Sequence, residues 1–193
     1  MAQFAGGTGT EEDPWLIRTA ENLDSIRYFL GAEHADKHFY QVYLIPLWNY
    51  GDSLWTPIGT DSLPFMGNYE VEMYGSDYKY DYYWNISYTT INDPLSDNLG
   101  IFGVIQNATI KNVQIQDIDI IGKGSCGGLA GKSTNSVITN CSVSYCKISG
   151  TDNDIGGLIG TSVDDSISVC CVSQYHSSDD RISGVNNIGG FIG

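Results

Sequence analysis

Gly127-Gly128-Leu129-Ala130-Gly131 returns as Gly156-Gly157-Leu158-Ile159-Gly160 and again as Gly189-Gly190-Phe191-Ile192-Gly193, and an earlier form stands at Leu99-Gly100-Ile101-Phe102-Gly103. The closing glycines, Gly103, Gly131, Gly160 and Gly193, are 28, 29 and 33 residues apart. A repeat of this period marks a solenoid, in which each unit buries its apolar face only by stacking on its neighbours. The repeat runs deeper than its glycines. Seven residues after each closing glycine stand Ile110, Ile138 and Ile167; ten after, Val113, Cys141 and Cys170; twelve after, Ile115, Val143 and Val172. Four after stand Asn107, Asn135 and Asp164, residue types that tolerate tight turns. Ile118 and Ile120 recur as Cys146 and Ile148, and a polar insertion through residues 177–187 accounts for the longest spacing.

Between these marks the chain alternates β-branched and small polar residues in short runs such as 108–115 and 136–143, which read as strands. Two or three such strands in each repeat make one rung of a β-helix, with equivalent positions piled at about the inter-strand spacing, ~4.8 Å. The expected fold is all-β: a parallel β-helix (β-solenoid) with rungs of about 28 residues and isoleucine-on-isoleucine ladders in its core. The rungs are expected at 99–126, 127–155 and 156–188, with the start of a fourth at 189–193.

The glycine blocks resemble the GLUG motif of large bacterial secreted and cell-surface proteins. So does the opening Phe4-Ala-Gly-Gly-Thr-Gly-Thr-Glu-Glu-Asp-Pro-Trp-Leu-Ile-Arg-Thr-Ala-Glu-Asn-Leu23, together with Leu54-Trp-Thr-Pro-Ile-Gly59 and Phe65-Met-Gly-Asn-Tyr69. One departure is clear: where such proteins carry a short Asp-Gly-x-Gly turn, this chain has Glu70-Val-Glu-Met-Tyr-Gly-Ser-Asp-Tyr-Lys-Tyr80. The resemblance implies a secreted or surface location and an adhesive or stalk role, and names no ligand.

Composition narrows the partners. The 193 residues suit one domain, and 41% are apolar, enough for a core. The net charge is −14 with nine Lys and Arg, so no basic footprint for nucleic acid is expected, and anionic membranes would repel the chain. No apolar run is long enough to span a bilayer. Met1-Ala-Gln-Phe-Ala-Gly-Gly7 enters the repeat region without a signal peptide, so a surface location requires a leader absent from this stretch.

Residues 1–98 read as an N-terminal capping region with a helix over about 19–31. Thr19 offers the N-cap, Leu23, Ile26, Phe29 and Leu30 share one face, and Gly31 ends the run. A solenoid's first rung leaves an open mouth, which this helix is expected to cover. All four Trp (15, 48, 55, 84) precede the repeats, placed to fill the join between cap and rungs, with an aromatic binding site for sugar as the sharper alternative.

The candidate binding surface is Tyr74 to Tyr88. Alternate residues there read Tyr74, Ser76, Tyr78, Tyr80, Tyr82, Trp84, Ile86 and Tyr88, a strand with one aromatic face. That face either packs on the solenoid or presents Tyr74, Tyr78, Tyr80, Tyr82, Trp84 and Tyr88 to a protein or glycan. Five cysteines include Cys141 and Cys170, which share repeat phase and so stack closely enough for a disulfide. Buried thiols acting as small hydrophobes are the blander reading, and it is preferred. No metal-ligand spacing is present, and the acidic pairs Asp152/Asp154, Asp164/Asp165 and Asp179/Asp180 read as solvated turns. No cofactor motif and no nucleophile with a base partner emerges, so the chain reads as non-catalytic, a polysaccharide-cleaving β-helix being a third choice.

The chain stops at Gly193, on the opening of a repeat. Two expectations follow: further rungs in a longer parent, or head-to-tail stacking of copies as a self-assembling subunit. The first is preferred.

Overall fold

The computed structural model describes residues 3–48, 54–72, 86–173 and 181–193. It is a β-solenoid of about 4 turns with parallel coils of about 29 residues, and only 7% of it is helical. The strands stack into three main sheets, and Ile155–Gly156 pairs with Ile188–Gly189 in a small fourth. The first takes Trp15–Ile17, His38–Gln41, Asn68–Val71, Thr109–Lys111, Val137–Thr139 and Ser166–Ser168, all parallel and in that spatial order. The second takes Ile45–Pro46, Ile86–Asn92, Gln114–Gly122, Ser142–Gly150 and Cys171–Ser173. The third takes Phe102–Gln106, Ala130–Thr134 and Ile159–Val163. Strands before residue 99 therefore stack in the same sheets as the repeats.

The expected ladders form in register. Ile110 faces Ile138 and Ile138 faces Ile167; above Ile110 the same column continues as Tyr69, Phe39 and Trp15. In the second sheet Ile45, Ile86, Ile115, Val143 and Val172 form another column, and Ile91, Ile120, Ile148 and Ile182 a third. Ile110 and Ile138 are wholly buried, and at about 25 cal/mol per Å² the apolar surface hidden in such columns is the main force holding coil to coil. Toward the N-terminus the isoleucines give way to aromatics. Phe4, Trp15, Phe39, Phe65 and Phe102 form a continuous stack with successive ring-centroid distances of 4.8–5.8 Å, and Phe29 lies 4.2 Å from Trp15 beside it.

The glycines close the coils for a steric reason. A Cβ on Gly131 would lie 2.2 Å from the Asn98 carbonyl carbon, and one on Gly160 2.4 Å from that of Ser125. One on Gly193 would lie 2.3 Å from the backbone of Ile155. Each closing glycine is thus pressed against the corner of the coil before it, where only a hydrogen fits.

The corners form ladders of their own. Asn107, Asn135 and Asp164 have φ of +50°, +50° and +56°, so the turn residues read from the sequence adopt the left-handed conformation. Two further columns do the same: Asn112, Asn140 and Val169 at +62°, +53° and +55°, and Asn98, Ser125 and Asp154 at +61°, +48° and +64°. Amide side chains bond along them. Asn135 Nδ2 donates to Asn107 Oδ1 at 2.5 Å, and Asn140 Nδ2 to Asn112 Oδ1 at 3.0 Å.

Several expectations need correction. The helix expected over about 19–31 is one α-helical turn, Ala20–Asp24, followed by a 3-10 turn at Ser25–Tyr28. Thr19 caps it as expected, its Oγ1 accepting from Asn22 N at 3.3 Å. The Ser25 hydroxyl donates to the Glu21 carbonyl at 2.8 Å, a local bond that competes with continuation of the helix. Leu23 and Ile26 are nonetheless wholly buried in the shared core. Of the four Trp, Trp15 joins the aromatic stack and Trp55 is buried, its indole N–H donating to the Ile101 carbonyl at 3.1 Å. Trp48 fills no join: it is 66% exposed, and Trp84 lies outside the described residues.

Candidate functional site

Of the aromatic stretch singled out from the sequence, Tyr74, Tyr78, Tyr80, Tyr82 and Trp84 lie outside the described residues, and Tyr88 lies within them. Its position overturns the simple alternation. Ile86 and Tyr88 were expected on one face, yet Ile86 is wholly buried and Tyr88 is 53% exposed. The cause is the backbone of Tyr88, whose φ of +56° places a left-handed kink inside the strand Ile86–Asn92. Alternation restarts beyond the kink, with Thr89 and Ile91 buried and Thr90 exposed.

This kink is a property of the whole sheet. The residues flanking Tyr88 pair with those flanking Asp117, and these pair with those flanking Tyr145, so the three stand in one column on successive coils. Asp117 and Tyr145 share the conformation, at +54° and +52°. Left-handed backbone suits Asn, Asp or Gly; on an aromatic residue it is uncommon and costs of order 1–2 kcal/mol. Asp117 meets that preference, and both tyrosines defy it. Sparsely populated backbone conformations gather at sites whose job outweighs the strain.

Around this column the second sheet carries a shallow groove of about 330 Å³, lined by Trp48, Tyr88, Asp117, Asp119, Tyr145 and Lys147, with Thr89 and Thr90 at its floor. Two tyrosines and an exposed indole supply apolar faces with polar tips. Carboxylates and one ammonium supply hydrogen-bonding groups between them. Lys147 is paired in register with Asp119 on the neighbouring strand. Asp119 Oδ1 and Thr89 Oγ1 are shielded from solvent without a hydrogen-bond partner in the structure. A buried acceptor without a donor is costly, by about 1–3 kcal/mol.

Of these residues Tyr88 and, among the four tryptophans, Trp48 emerged from sequence reading. Asp117, Asp119, Tyr145 and Lys147 did not, although Asp117 and Tyr145 each stand fourteen residues after a closing glycine and share a repeat phase. A larger concavity of about 470 Å³ lies on the first sheet, against Glu11, His38, Tyr40, Glu70 and Lys111. There Tyr40, Glu70 and Lys111 stand in one column on successive coils, the last two an opposite-charge pair in register. Burial and the nearby Glu72 and Glu70 carboxylates push the Tyr40 phenol above its ordinary range.

The cysteines are all free thiols among the described residues. Cys141 and Cys170 stack as their phase requires, in the reduced ladder rather than as a disulfide. The backbone N–H of Cys141 donates to Cys170 Sγ at 3.3 Å. The Cys141 thiol hydrogen-bonds the Cys170 sulfur and, with help from backbone N–H groups, draws the half-buried Cys170 down to about 6. That same bond and burial push Cys141 up. Burial, with the Asp97 carboxylate nearby, pushes Cys126 up to about 12. The acidic turns tie coil to coil: Asp165 Oδ1 accepts from the backbone N–H of Ser136 at 2.7 Å, and Asp154 Oδ1 from the Asn187 side-chain amide at 2.7 Å. Asp179 and Asp180 lie outside the described residues. No helix among the described residues is long and apolar enough to cross a membrane.

No protein-family model matches the chain. It is 35% identical over 147 residues to a protein of Evansella cellulosilytica provisionally named a Gly-rich membrane protein; the match takes in 72% of this chain and 15% of that protein. The chain thus spans about one-seventh of the relative's length. A solved structure provisionally named an immunoglobulin A1 protease, from Bacteroides ovatus, aligns over 97% of this chain and 87% of its own at 12% identity. Its TM-score is 0.34, a likeness that carries no argument for function.

Proposed function

We propose that this chain is a non-catalytic module of a larger secreted or cell-surface bacterial protein, a GLUG-like β-solenoid that acts as a stalk and presents a binding groove to a partner on another surface. The single observation that carries this reading is the column Tyr88–Asp117–Tyr145 beside the exposed Trp48, because Tyr88, 53% exposed, holds a large aromatic ring outward at a strained corner. Repeated coils supply a rigid rod, and the outer face of one sheet supplies a groove along it. The relative named as a membrane protein supports the surface location. The acidic charge of −14 favours a partner that is neutral or basic.

Limited proteolysis of intact against lysed cells that express the full-length parent tests the location. Cleavage of the module in intact cells is expected; protection until lysis would reject it. The rival reading, a subunit stacking head to tail, predicts a mass that climbs with concentration in light scattering. The present reading predicts one constant mass.

A further inference from the structure

The geometry points to a specific class of ligand for the groove at Trp48, Tyr88 and Tyr145: an extended, unbranched, uncharged polysaccharide with β-1,4 linkages, lying parallel to the solenoid axis. This rests on the groove being the presented surface and goes further by naming what it holds.

The spacing comes first. Tyr88 and Tyr145 occupy the same corner on coils two apart, with Asp117 between them. Two strand spacings are about 10 Å. Two pyranose rings of an extended β-1,4-linked chain cover a like span, so one ring rests on each tyrosine while the ring between sits over Asp117. A chain that curls, as α-linked glucans do, meets one platform and leaves the other.

Chemistry comes second. A pyranose has apolar C–H faces and a rim of hydroxyls. Aromatic rings with polar tips satisfy the faces. Asp117, Asp119 and Lys147 line the same groove and satisfy the rim. Asp119 Oδ1, shielded and without a partner, is an acceptor that a sugar hydroxyl would complete. A peptide supplies far fewer donors per unit length, and its amides are already satisfied only in a strand pairing that the groove, on the face of a sheet, cannot offer.

Charge comes third. Two carboxylates face one ammonium in the groove, on a chain of net charge −14. A polyuronate would be repelled, and an uncharged glucose or N-acetylglucosamine polymer would not.

The test is calorimetric titration of the purified chain with β-1,4-linked hexasaccharides of glucose and of N-acetylglucosamine, with a hexagalacturonate as the charged control. One or both uncharged hexasaccharides are expected to bind and the uronate is not. Tyr88→Asn places at the corner a residue that suits it, as Asp117 already does. It is expected to weaken binding about tenfold, the loss of one stacking anchor, with Tm unchanged or raised. Trp48→Ser, at a position 66% exposed, gives an independent loss of similar size without touching the core. Binding lost in step with Tm would mean that the tyrosine is structural and would overturn the proposal. So would binding of the uronate alone, or failure of both uncharged chains to bind. These results leave the location experiment untouched, so the two readings fail separately.

Discussion

Val169 is the corner residue that the repeat pattern does not want, and replacing it should stabilise the outermost described coil. Its equivalents are Asn112 and Asn140, and all three are left-handed, Val169 at φ +55°. A β-branched residue there is strained by of order 1–2 kcal/mol. At 78% exposed, Val169 recovers little by burial. Val169→Asn removes most of that strain. It also places an amide where it can donate to Asn140, as Asn140 Nδ2 does to Asn112 Oδ1 at 3.0 Å. An exposed hydrogen bond adds about 0.5 kcal/mol, the low end of its range. The sum is about 1.5–2.5 kcal/mol, or a rise of roughly 3–10 °C in Tm for a chain of this size. Coils can melt separately, so protection of amides in residues 159–173 from hydrogen exchange should accompany the thermal scan. Val169→Gly relieves strain but loses the amide and loosens the unfolded chain, and should gain less. Val169→Ala keeps the Cβ and should gain least. If Ala matched Asn, or Asn lowered Tm, the assignment of strain to this corner would be refuted.

Other perturbations follow from the same architecture. Ile138→Ala, at a wholly buried position between Ile110 and the partly buried Ile167, should cost about 2–5 kcal/mol by chemical denaturation, with exchange protection falling first in the neighbouring coils. Gly131→Ala would set its Cβ 2.2 Å from backbone that cannot yield, and should lower Tm sharply, while Gly190→Ala meets nothing within 4 Å and should leave it unchanged. In a Cys171→Ser background, alkylation of Cys170 by iodoacetamide should rise as pH passes through about 6, well below the ordinary thiol range, because the Cys141 thiol stabilises its thiolate. In Cys141→Ala that midpoint should move back up, as peptide mass mapping would show.

The repeat phase was legible because it is written in side chains that meet their own kind. Ile110, Ile138 and Ile167 stack as counted from the glycines, and Asn107, Asn135 and Asp164 turn the chain where counted. What counting could not supply was backbone sign. Nothing in a tyrosine announces a positive φ, so Tyr88 read as one more alternating strand residue and Tyr145 went unnoticed. The Asn112–Asn140 ladder was hidden for a related reason: Val169 breaks its pattern in the third coil. The helix was overread because apolar spacing ignores the Ser25 hydroxyl, whose bond to the Glu21 carbonyl competes with helix continuation at the first turn. The rungs before residue 99 lack the glycine block. Their register shows in the structure, where Trp15, Phe39 and Tyr69 stand in for isoleucine in the first sheet and Ile45, Ile86 and Ile91 join the columns of the second.

The most direct test of the account is how affinity depends on oligosaccharide length. Titrating the chain with β-1,4-linked di-, tri-, tetra- and hexasaccharides should show affinity climbing steeply once a chain reaches both Tyr88 and Tyr145, then flattening; in Tyr88→Asn the climb should vanish. Equal affinity at every length, or none at any, would contradict a groove built on two aromatic platforms two coils apart.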